Sequence, residues 1–206
     1  MAALSVREMA RRERRDFADL LDGLSPPQWA AASLCGRWSV REVVAHTLAY
    51  LSQSRRGLLG AMIRHRGDVD RLNAAALPAY ARLPPPQLAA LMRAGVDPAG
   101  AGALYGCRVA LIECLIHQQD IRRPLGLDRA VPADRLRAAL RYARASPVIG
   151  AARRTAGLRL VATDLDWSAG RGPEVTGPGE ALLLAMTGRA GAVADDLRGS
   201  GVNRLR

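Results

Sequence analysis

The chain has 206 residues, 49% of them apolar and only 4% aromatic, with a formal charge of +11. That length suits one full domain with at most a small appendage, and a sizeable core is possible if it is built from Leu, Ala and Val. All 30 basic residues are Arg, scattered without a concentrated stripe, and stacking aromatics are scarce, so a specific nucleic-acid partner is not expected.

Cys35, Cys107 and Cys114 form no CxxC pair, which points to a reducing, cytoplasmic setting. No apolar run of signal-peptide type opens the chain, and none approaches the length needed to span a bilayer. A cytoplasmic protein without a membrane partner is the expectation.

The first helix is expected from Ser5, where Ser5-Val-Arg-Glu8 reads as a capping box, to Gly23. Ser25-Pro26-Pro27-Gln28-Trp29 reads as a loop or short turn. Ser39-Val-Arg-Glu42 is a second capping box, and the apolar spacing of Val40, Val43, Val44, Leu48 and Leu51 carries a helix to about Ile63. His46 lies on the flank of that apolar stripe, where a bundle helix can still meet a neighbour. His65, between Arg64 and Arg66, is expected to be exposed. Val69–Met92 should hold one or two helices, interrupted at Leu83-Pro84-Pro85-Pro86, and Gly95–Gly102 reads as a loop.

A helix over Ala103–Arg122 follows, ended by Pro124 and Gly126. Another is expected over Ala133–Ala145. After Pro147 the pattern changes. Gly157–Thr163 alternates as a half-buried strand does, Asp166-Trp167 and Pro173–Thr176 can add two short strands, and Gly179–Thr187 and Ala190–Leu197 read as short helices. The expected organisation is a helical bundle over 1–150 and a small α+β segment over 151–206.

The chemistry concentrates in Glu113-Cys-Leu-Ile-His117-Gln-Gln-Asp120. On a helix, Glu113, His117 and Asp120 share one stripe with Gly106 and Val109, opposite Leu111, Ile112 and Leu115. A carboxylate and an imidazole on such an apolar helix need compensation by a metal, an ion pair or solvent. His46, Glu113 and His117 together make two nitrogens and one carboxylate, a set found in catalytic zinc sites and equally suited to nickel, iron or cobalt. Asp120 can orient a histidine or act as a base. On spacing alone, the same residues suit a surface Glu–His pair beside a structural His46. Cys107 and Cys114 read as buried thiols, and Cys35 as a loop residue with no base evident beside it.

Three stretches resemble one family. Cys35-Gly36, Trp38, Ser39–Glu42 and His46 form the first, Glu113-x₃-His117-x₂-Asp120 with Leu125-Gly126 the second, and Gly157–Asp164 with Pro178–Arg189 the third. Together they resemble the mycothiol-dependent maleylpyruvate isomerase family within the DinB/YfiT-like metalloproteins. The resemblance implies a mainly α protein, a DinB-like four-helix bundle with a small C-terminal α+β segment. It implies a divalent metal, usually zinc, on His46, Glu113 and His117, with Asp120 behind the ligands as the catalytic residue. It implies mycothiol as cofactor and a small anionic or electrophilic substrate, in cis–trans isomerisation or S-transfer. A non-catalytic metal- or small-ligand-binding protein of the same fold is the alternative, as a monomer or homodimer.

Overall fold

The computed structural model describes residues 4–36, 38–67, 71, 72, 75 and 77–205. The chain divides into two compact units, the first through Arg129 and the second from Ala130.

In the first unit, α1 (Val6–Asp22) opens where Ser5 Oγ accepts the Glu8 amide. A short α2 (Pro26–Ala30) forms where a loop or turn was expected, because Gln28 Oε1 accepts the Ser25 amide at 2.8 Å. Helix α3 (Val40–Ser52) is followed by α4 (Arg55–Arg64), α5 (Pro78–Ala81), α6 (Pro85–Ala94) and a 3₁₀ turn at Gly100–Ala103. The long helix α7 (Leu104–Arg122) closes the series. Helix α1 packs on α6 and α7, and α3 packs on the same two, so these four form the bundle. Its interior is filled by Phe17, Leu21, Val43, Val44, Leu48, Leu88, Met92, Leu111, Leu115 and Ile121, each at most 5% exposed. The mainly α fold expected from the sequence is therefore present.

Three local expectations need correction. The helix from Ser39 stops at Ser52 rather than near Ile63. Ser52 Oγ turns back to the Leu48 carbonyl, and Ser54 caps the new helix by accepting the Gly57 amide. The Gln53 carbonyl at this break accepts the Ala101 amide at 2.8 Å. Gly100 fits there because an added Cβ would lie 2.2 Å from that same carbonyl oxygen, and its φ is +50°. The second correction concerns α7. Tyr105, Gly106 and Cys107 carry φ of 51°, 65° and 67°, so the right-handed run starts at Arg108 and Gly106 does not share the Glu113 stripe. Third, residues 95–102 are not all loop, since the 3₁₀ turn begins within them. Of the helical region expected from Val69, residues 69, 70, 73, 74 and 76 lie outside the described residues.

A buried ion pair sets the seat of α7 on α1. Glu13 is fully buried and accepts from Nη1 and Nη2 of Arg129, at 2.7 and 2.9 Å. Gln118 Nε2 donates to Glu13 Oε1 at 2.7 Å and to the Glu13 carbonyl at 3.1 Å. Because Gln118 adjoins His117, this network holds α7 in register beside the histidine.

The second unit contains α8 (Ala133–Ala145) and α9 (Ala151–Arg154). Strands β1 (Arg159–Ala162), β2 (Ser168–Gly170) and β3 (Glu174–Gly177) follow, then α10 (Gly179–Met186). Helix α8, grouped with the bundle in the sequence reading, packs on α9 and α10 here. The sheet runs β2-β1-β3, with β1 antiparallel to β2 and parallel to β3. Strand β2 starts at Ser168, just past the expected Asp166-Trp167, and Ala190–Asp196 is a 3₁₀ helix rather than an α-helix. Among the described residues, no helix is long and apolar enough to cross a membrane.

Candidate metal centre

The position of His46 is set by the start of α3. Ser39 Oγ accepts the Glu42 amide, and Glu42 Oε2 accepts the Ser39 amide at 2.8 Å, which fixes where the helix begins. The unbroken run Val43–Ala49 of α3 is buried, so the flank carrying His46 also faces inward and leaves it 5% exposed. Its ring lies 4.9 Å from the Trp38 ring and 6.3 Å from Tyr50 between centroids, and meets His117 edge-on at 5.1 Å.

Helix α7 supplies the rest. His117 is 6% exposed, Asp120 is fully buried, and Glu113 is half-buried. Glu113 Oε2 lies 3.3 Å from His117 Nε2, while Asp120 Oδ2 lies 2.8 Å from His117 Nδ1. The two carboxylates therefore grip opposite edges of one imidazole. With Asp120 accepting the Nδ1 proton, a neutral ring presents the bare Nε2 lone pair toward Glu113.

One ligand atom each from His46, Glu113 and His117 lies within 4.8 Å of the others. Around a tetrahedral ion at ordinary N and O bond lengths, such atoms stand about 3.3 Å apart. The donor set is therefore of the right chemistry, and closing on an ion needs only small side-chain adjustments. His65 follows α4, half-buried rather than exposed, and joins neither donor group among the described residues.

Burial alone would lower the His117 pKa. The hydrogen bonds to Asp120, Cys35 and Glu113 outweigh it and hold the pKa well above 6.5. In the metal-free protein His117 thus tends to keep its proton between the carboxylates. Burial pushes the Cys114 thiol up to about 12, so it stays protonated, in keeping with the inert thiol expected there.

Cys35 is not the loop thiol without a base that the sequence suggests. Its Sγ donates to Asp120 Oδ2 at 2.9 Å and lies 3.8 Å from His117 Nδ1, so Cys35, His117 and Asp120 form a second close group of donor atoms. The partners are more than eighty residues away in sequence, so no local spacing could have revealed them. The only hint was that Cys35 and Trp38 both precede the helix carrying His46.

Residues 10–102 match the family model described as the Mycothiol maleylpyruvate isomerase N-terminal domain. No curated protein matches the chain. Its fold is similar to a crystal structure of the mycothiol-dependent maleylpyruvate isomerase. The TM-score is 0.58 at 15% identity, over 97% of this chain and 96% of that one. A second crystal structure, a histidine-to-alanine mutant of the same description, matches with a TM-score of 0.54 at 15% identity and the same coverage. The likeness to that family model thus covers residues 10–102, and over nearly the whole chain the likeness to the two crystal structures is one of fold.

Proposed function

We propose that the protein is a divalent-metal-dependent, mycothiol-using enzyme, an isomerase of the maleylpyruvate type or a related thiol S-transferase. The observation that carries this reading is the convergence of His46, Glu113 and His117, with Asp120 behind His117. A bound ion, zinc first with nickel or iron as alternatives, would acidify a small thiol, whose thiolate isomerises an activated cis double bond by reversible addition or displaces a leaving group.

The chain's own residues supply the setting for that chemistry. His46 and His117 offer two neutral nitrogens and Glu113 one carboxylate oxygen, leaving a tetrahedral ion an open position. Asp120 holds the Nδ1 proton of His117 and so keeps the ring turned with Nε2 toward the donor group. Trp38 and Tyr50 flank His46 and limit water on its side of the site. The excess of Arg suits small anionic substrates. The reading places the protein in the cytoplasm, with the reduced thiol pool, as a monomer or homodimer.

The reading is tested with cobalt-substituted protein titrated with mycothiol and with a simple alkyl thiol. It predicts a sulfur-to-cobalt charge-transfer band that rises and saturates. A cobalt spectrum unmoved by saturating thiol would favour a metal-binding protein without thiol chemistry.

A further inference from the structure

We propose that Cys35 is a positioning residue of this centre, its thiol acting through Asp120 to orient His117. The inference rests on the reading of His46, Glu113 and His117 as the metal-holding set.

Asp120 is fully buried, and a buried carboxylate oxygen needs donors to offset its lost hydration. Its Oδ2 has two partners in view, His117 Nδ1 at 2.8 Å and Cys35 Sγ at 2.9 Å. The thiol therefore shares the oxygen that holds the imidazole. Removing it leaves that oxygen with one fewer donor and so weakens the hold of the carboxylate on the ring orientation.

The main chain reinforces this contact. The Leu34 amide donates to the Asp120 carbonyl at 3.0 Å, so the loop is pinned to α7 beside the thiol. The loop is also closed on itself. The Trp38 amide donates to the Cys35 carbonyl at 3.1 Å, Ser33 Oγ donates to the Trp38 carbonyl at 2.7 Å, and the Cys35 amide donates to Ser33 Oγ at 3.1 Å. Gly36 permits the turn with φ +61°. Cys35 thus reaches His117 through Asp120 at one end of the turn, while Trp38 packs on His46 at the other. One turn touches the surroundings of both histidines.

The geometry argues against Cys35 as a further ligand of the same ion. The thiol lies on the Nδ1 edge of His117, whereas Glu113 lies on the Nε2 edge. Cys35 bears on the ring chiefly through Asp120 Oδ2 at 2.9 Å, its own contact with Nδ1 being the longer one at 3.8 Å.

The test compares the parent with Cys35→Ala and Cys35→Ser. Each protein is loaded with cobalt(II), and its release to excess chelator is timed alongside the visible spectrum. Direct partners of metal ligands are worth 10–100-fold, so a thiol one hydrogen bond further back should make the Ala variant release cobalt about 3–10-fold faster. The Ser variant keeps a donor and should stay within about twofold of the parent. Ala and Ser variants that both match the parent, or that both release equally fast, overturn the proposal. A parent that takes up no cobalt fails the metal reading instead. Cys35 is then judged in the metal-free proteins by imidazole nitrogen shifts at a pH where His117 is neutral. Parent and Ser variant should hold the Nδ1–H tautomer, and the Ala variant should show a mixture. A tautomer unchanged in the Ala variant overturns the proposal.

Discussion

Replacing Asp120 with asparagine keeps the volume of the side chain and changes two things at once. The charge that strengthens the bond to His117 Nδ1 is lost, and one of the two terminal atoms becomes a donor. An amide oxygen in the place of Oδ2 can still accept from both the His117 ring and Cys35, at 2.8 and 2.9 Å in the present geometry, but without the charge that strengthens those bonds. If the amide nitrogen faces the ring instead, the imidazole proton is driven to Nε2, the atom nearest Glu113. Either outcome weakens a site that needs Nε2 bare. Losing such a partner should lower zinc affinity about 10–100-fold, or about 1.4–2.8 kcal/mol.

A second effect opposes the first. Without the Asp120 charge, one of the causes of the raised His117 pKa disappears, so a proton competes less with the ion. That relief matters at low pH and fades as the ring deprotonates. The affinity gap between parent and Asp120→Asn should therefore be small near about pH 6 and widen toward about pH 8.5. Competition against a chromophoric zinc chelator across that range reads it. Equal affinity at the alkaline end, in a variant that melts like the parent, would refute the assignment of Asp120 as the residue that orients His117.

Glu13→Gln leaves Arg129 buried with Asp16, 3.2 Å from its Nη2 and partly exposed, as its remaining carboxylate partner in view. Breaking a buried pair costs about 3–5 kcal/mol, which for a chain of this size is a fall in melting temperature of about 6–20 °C, measurable by thermal denaturation. A shift under about 2 °C would mean the pair is dispensable. Because the folded His117 pKa lies above 6.5, its protonation stabilises the metal-free fold fully below that unfolded value, and the gain is lost as pH rises through the folded pKa. The metal-free protein should therefore melt at lower temperature as pH rises through that window, and the trend should vanish in His117→Gln. Metal uptake at neutral pH should also release that proton, seen as calorimetric heats that scale with the ionisation enthalpy of the buffer.

Local signals made the bundle legible at particular points. The Ser5 side-chain cap and the full capping box at Ser39 mark the starts of α1 and α3, although Glu8 pairs with Arg12 rather than reaching back to Ser5, and period-two alternation marks β1. The stripe of Glu113, His117 and Asp120 forms as spaced, because α7 is regular from Arg108 onward. The break after Ser52 was hidden because Leu58, Leu59, Met62 and Ile63 continue the helical spacing on the far side of it. The left-handed residues at Tyr105 and Cys107 carry no side-chain signature, since only Gly106 among them favours positive φ. The contacts of Cys35 with Asp120 and of Glu13 with Arg129 join residues 85 and 116 positions apart, so they depend on how the helices assemble. The convergence of His46 on His117 has the same origin; helix patterning allows it in a bundle without fixing it, and the resemblance singles it out.

Elemental analysis of protein purified without added metal or chelator, beside His46→Ala and His117→Ala, tests the central claim most directly. The account predicts close to one equivalent of a divalent ion in the parent and its loss from both variants, each still folded by circular dichroism. A parent without metal that takes none up on addition, or variants that keep a full equivalent, would contradict it.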